Sequence, residues 1–166
     1  MSTITWPPTR ETPGPMILDE LEARLERGEL VRTHFIVHDL VSWAHRELID
    51  DDEELRDFYA RVTVTIGYAQ LQRICAELVA HIGNIMELGA GEGDYGQMAH
   101  HLGILGAISC LGVVPDFPTQ RRFDRVVDAF VKKRHQRGQL RAAICSLRED
   151  DPLWSQPICQ RVVMAT

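Results

Sequence analysis

The sequence predicts an all-α protein, a single helical bundle of about five or six helices behind an extended proline-rich N-terminal arm. Apolar residues recur at helical spacing through most of residues 16–148. Glycine and proline breaks divide that stretch into helix-sized pieces. The chain has 166 residues, 45% hydrophobic and 25% charged, enough for one core without covalent staples. The expected division is an arm at 1–15, a helical domain at 16–150 and a tail at 151–166 that packs on the domain.

The arm carries Pro7, Pro8, Pro13 and Pro15, which block helix, and one anchoring aromatic, Trp6. Residues 16–28 place Ile17, Leu18, Leu21 and Leu25 on one face, and Gly28 ends the helix. A second helix starts near Thr33, with Phe35, Ile36, Leu40, Trp43 and Ala44 as its stripe. Asp50, Asp51 and Asp52 close it and cap the next, with Glu53 placed as in a capping box. A third helix is expected over about 51–82, through Leu55, Phe58, Val62, Ile66 and Ala69, then Ile74, Leu78 and Ile82. The β-branched run Val62–Ile66 lies inside that periodicity and reads as helix.

Gly83, Gly89, Gly91, Gly93 and Gly96 mark a glycine-rich break. A fourth helix fits 97–111, where Gly103 and Gly106 weaken the helix but allow close packing. A fifth fits 119–136, with Phe123, Val126, Val127, Phe130 and Val131 facing the core. Gly138 is expected to break it, and 139–148 continues as a short helix.

The formal net charge is −6, from 24 acids and 18 bases. That balance is too mild for an acidic DNA mimic and argues against a basic nucleic-acid coat. No apolar run approaches the roughly 18 residues of a membrane span, and the N-terminus has no signal-peptide pattern. Cys75, Cys110, Cys145 and Cys159 form no C-x-x-C pair, so they read as reduced thiols of a cytoplasmic protein. The charge is uneven: residues 1–83 hold 15 acids and 8 bases, residues 84–166 hold 9 acids and 10 bases.

The segment Ile85-Met86-Glu87-Leu88-Gly89-Ala90-Gly91-Glu92-Gly93 resembles the first motif of class I methyltransferases that use S-adenosylmethionine. That motif needs a strand before it and most of a sheet after it. Here helical pattern precedes it and only 73 residues follow Gly93, so a truncated methyltransferase is the third reading. The order Asn84, Glu87, Gly91, Gly93, Asp94, His100, Leu111, Gly112 resembles the heme-oxygenase-like helical iron oxidases of the TenA and PqqC type. The resemblance covers 20–148 in pattern and 84–113 in motif. It implies an up-down bundle and Fe(II) as cofactor, with Glu87 and His100 as metal ligands, since carboxylate with imidazole suits non-heme iron. The family draws later ligands from its second half, whereas only 31 residues follow His135 here. The implied activity is an iron-dependent oxidase with an incomplete ligand set. The alternative is a non-catalytic protein-interaction module, a small inhibitor or regulator.

His34 and His38 share a helix face, and His38-Asp39 mimics the paired residues of metal phosphohydrolases, without the earlier histidine that chemistry needs. His81 and His135 lie near expected helix C-termini, where positive charge is favourable. No residue pattern marks a nucleophile or a phosphate loop. Residues 121–141 carry eight bases and two acids, Asp124 and Asp128. With the apolar set on the core face, Arg121, Arg125 and Lys132 point outward together and offer a partner-binding surface, as Trp6 does in the arm. A homodimer, an acidic protein or a nucleic-acid backbone would fit it. A solvated face paired with the chain's own acidic half is the competing reading.

Overall fold

The computed structural model describes residues 5–29, 31–88, 91, 93–148 and 151–164. Among them there is no strand. The long helices are α1 (Gly14–Glu26), α2 (Thr33–Glu47), α3 (Asp52–Ile66), α4 (Tyr68–Leu88), α5 (Asp94–Cys110), α6 (Phe117–Val131) and α7 (Arg134–Cys145). A 3-10 turn at Pro152–Ser155 and short helical turns at Pro157–Cys159 and Gln160–Met164 follow. The all-α class stands, with more helices than the pattern suggested.

The differences lie at the breaks. Helix α1 starts at Gly14 because Pro13 takes the N-cap position and a proline in the first turn has no needed N–H to lose. Among the described residues the segment before α1 is therefore 5–13, which bends at Trp6–Pro7 and makes a turn closed by Thr12 N–H to the Thr9 carbonyl at 3.1 Å. The long third helix is two: Gly67 sits at φ 99°, a conformation few other residues adopt, and separates α3 from α4. Asp51 caps α3 by accepting from the Glu54 N–H at 3.0 Å, one residue beyond the expected box. Gly83 does not end α4, which runs to Leu88. The break after α6 falls at Lys132–Lys133, and Gly138 lies inside α7.

Helix α5 is the centre of the bundle. Ten of its seventeen residues are buried, spread round the helix, and it packs against α2, α4, α7 and the 3-10 turn. A side chain on Gly106 would begin 2.4 Å from the Pro152 carbonyl oxygen, and one on Gly103 would begin 3.0 Å from Asp151 Oδ1 and 3.2 Å from His38 Nε2. These two glycines form a smooth track on which residues 151–153 lie. Leu153, Ile158, Cys159 and Val162 are all buried. Among the described residues no helix is long and apolar enough to cross a membrane.

Candidate functional site

Helix α6 is strongly amphipathic. Val127 and Phe130 are buried in the core, Phe123, Val126 and Val131 pack against it, and Asp116 caps the helix through the Thr119 N–H at 2.9 Å. The basic residues are thereby forced outward. Arg121, Arg125 and Lys132 are all exposed, and Lys132 is the C-cap. The two acids of this stretch are both engaged: Asp124 accepts from Gln120 at 2.9 Å and Asp128 pairs with Arg161 at 2.5 Å. Arg137 donates to the Val131 carbonyl and Arg122 to Asn84 Oδ1 at 3.5 Å. The side chains of Arg121, Arg125, Lys132, Lys133, Arg134 and Arg141 have no hydrogen bond or ion pair among the described residues.

Among the described residues, the ion pairs made by acids of the first half lie within that half, among them Asp19 and Glu22 with Arg61, Glu20 with Arg24, and Glu77 with His34, and none reaches these bases.

Between the C-terminal end of α4 and α6 lies a groove of about 240 Å³, lined by Met86, Glu87, Arg122, Arg125, Val126, Ala129, Phe130 and Lys133. The Met86 and Phe130 floor is buried, while Glu87, Arg125, Ala129 and Lys133 are exposed at its rim. Arg122 lies flat across α4 because Gly83 leaves room: a side chain there would start 3.1 Å from its guanidinium.

His100 has entirely different neighbours. It stacks on Phe35, with ring centroids 5.2 Å apart, and faces His38 at 5.8 Å. Glu87 instead borders the bases of α6, so the structure does not bring the two expected iron ligands together. Among the described residues no group of three or more His, Cys, Asp or Glu is arranged to hold a metal ion. This donor set does not fit an iron centre built on Glu87 and His100.

Five of the seven histidines do meet, which their sequence positions on three helices concealed. His34 and His38 come from α2, His81 from α4, and His100 and His101 from α5. His101 stands edge-on to His81 at 4.8 Å and 6.3 Å from His100. His34 pairs with Glu77 and His38 with Asp151, both at 3.2 Å. The latter pair is largely buried, with side chains 17% and 11% exposed. Burial would raise the Asp151 carboxyl, but the His38 hydrogen bond and the Leu153 N–H together hold it below the ordinary range. Both ring nitrogens of His101 are shut from water without a hydrogen-bond partner. Burial, then the neighbouring His81, His100 and His34, push its pKa down to about 4. Burial and His38 likewise lower His100. These two rings are therefore neutral at neutral pH.

Trp6 is turned inward. It packs against the core cluster, and the Arg24 guanidinium lies 4.5 Å from its ring centroid, a cation–π contact that docks the arm on α1. The methyltransferase-like segment falls partly outside the described residues, at Gly89, Ala90 and Glu92. Its first part, Ile85–Leu88, is the last turn of α4, where a strand would be required. In comparisons with known proteins, no family model, no curated protein and no solved structure matches this chain.

Proposed function

We propose that this protein is a non-catalytic interaction module whose basic α6–α7 face binds an acidic segment of a protein partner. The observation that carries the reading is the set of six bases whose side chains have no partner among the described residues, Arg121, Arg125, Lys132, Lys133, Arg134 and Arg141, beside two acids that are already engaged. A cluster in which like charges outnumber their opposites favours association with a surface of opposite sign. Arginine, four of the six, pairs with carboxylates through two parallel hydrogen bonds.

A nucleic-acid backbone is a poorer fit. Interfaces with nucleic acid are much more uniformly positive than this one, and here Glu87, Asp124 and Asp128 stand among the bases. The apolar floor of the α4–α6 groove also has no use for a phosphate chain.

The test is fluorescence anisotropy with a labelled glutamate-rich helical peptide and, separately, a labelled DNA duplex, at low and moderate salt. Peptide binding that weakens with salt and disappears when Arg121, Arg125 and Lys132 are all changed to Glu supports the reading. Peptide binding unaffected by that triple change, or tighter binding of the duplex, overturns it.

A further inference from the structure

The groove between α4 and α6 does something the surrounding charge cannot: it offers an apolar floor within reach of three cations. Arg122, Val126, Ala129 and Phe130 fall at successive helical intervals on one face of α6, Lys133 joins them from the N-cap of α7, and Met86 closes the floor from α4. We infer that this groove is the specificity pocket of the interaction surface, and that it takes one apolar side chain of an acidic, amphipathic helix.

The occupant follows from size and charge. Pockets for drug-sized ligands run from roughly 300 to 1,000 Å³, whereas this groove is about 240 Å³ and open along α6, dimensions that suit a single leucine-sized anchor. Ala129 is the small residue at the exposed rim, so it leaves the entrance clear. Arg125 on α6 and Lys133 at the N-cap of α7 both line the groove, so carboxylates on either side of the anchor find a cation. Glu87 at the α4 side repels a carboxylate there, which sets the side of the bound helix that must stay uncharged. An apolar residue flanked by acids one turn away on either side meets all three conditions.

This inference rests on the proposed interaction surface, and the test separates the two. Three labelled peptides of one helical alanine-based host are compared by anisotropy: one with a central Leu flanked by Glu, one with that Leu replaced by Ala, and one with the Leu kept and each Glu replaced by Gln. Burying a leucine should make the first peptide tighter than the second by on the order of tenfold. Ala129→Trp, which fills the groove from an exposed position, should erase that ratio while leaving the salt-dependent part of the affinity. Glu87→Gln should strengthen both Glu-bearing peptides. Equal affinity for the Leu and Ala peptides overturns the pocket and leaves the charged surface intact. Failure of both Glu-bearing peptides to bind overturns the surface and the pocket together. If Ala129→Trp does not fold, as circular dichroism would reveal, the Leu-to-Ala ratio in the unaltered protein decides the matter by itself.

Discussion

Changing His101 to phenylalanine keeps a ring of similar size in the centre of the histidine cluster and removes both buried, unpartnered ring nitrogens. The consequence is a change in how stability depends on pH. In the folded protein His101 titrates at about 4, against 6.5 for an unperturbed imidazole. Between those values the unfolded chain binds a proton that the folded protein refuses, so stability falls as pH drops from about 6.5 towards 4. At pH 7 the term is nearly absent; at pH 5 the linkage relation gives a loss on the order of 2 kcal/mol from this residue alone. The variant lacks the term, so it should lose about 2 kcal/mol less than the unaltered protein between the two pH values. Urea unfolding followed by circular dichroism at both pH values reads this as a double difference, in which His100 and the other histidines largely cancel. Equal losses in the His101→Phe and unaltered proteins would refute the burial of a neutral imidazole at this position.

Gly106→Ala places a methyl carbon 2.4 Å from the Pro152 carbonyl oxygen and should cost about 1–3 kcal/mol in urea unfolding. Gly67→Ala forces alanine to φ 99° between α3 and α4 and should cost about 1–3 kcal/mol by the same measurement. Asp151→Ala removes the carboxylate partner of His38 and the cap on the Leu153 N–H, and the loss should reach about 3–5 kcal/mol for a pair this buried. The triple change of Arg121, Arg125 and Lys132 to Glu touches no internal partner, so melting temperature and helical spectrum should stay almost unchanged while peptide binding is lost.

The helical architecture was legible because burial writes a strong period into the chain. Most of the stripes of α1, α2 and α6 appear as read, with Ile17, Leu18, Leu21, Ile36, Leu40, Val127 and Phe130 buried, but Leu25 at the end of α1 and Phe35 at the start of α2 are exposed, 38% and 48%, because each lies at a helix end beyond the packed turns. The glycines were harder. Gly28 and Gly67 both take positive φ, but only Gly28 stands beside a change of pattern; Gly67 sits within an apolar rhythm that continues through it. Gly83 looks like a break and instead makes room for Arg122. Composition is blind to whether a glycine is wanted for its backbone or for its missing side chain. The basic face of α6 was readable because both its charges and its buried side belong to one helix. The histidine cluster was not, because it joins residues up to 67 positions apart through the packing of three helices. Glu87 and His100 are near in sequence but have different surroundings, Glu87 at the end of α4 bordering α6 and His100 on α5 facing α2.

The glycine track on α5 also bears on the order in which the molecule can be completed. The central helix follows α2 and α4 in the chain and is flanked by both, yet the strip over Gly103 and Gly106 is completed, beside His38, by residues 151–153, of which Leu153 is fully buried. A growing chain that has released α5 but not this segment exposes an oily seam along its middle. Such seams attract other unfinished chains. A chain halted before residue 151 would hold all seven long helices and still leave that part of the central helix uncovered.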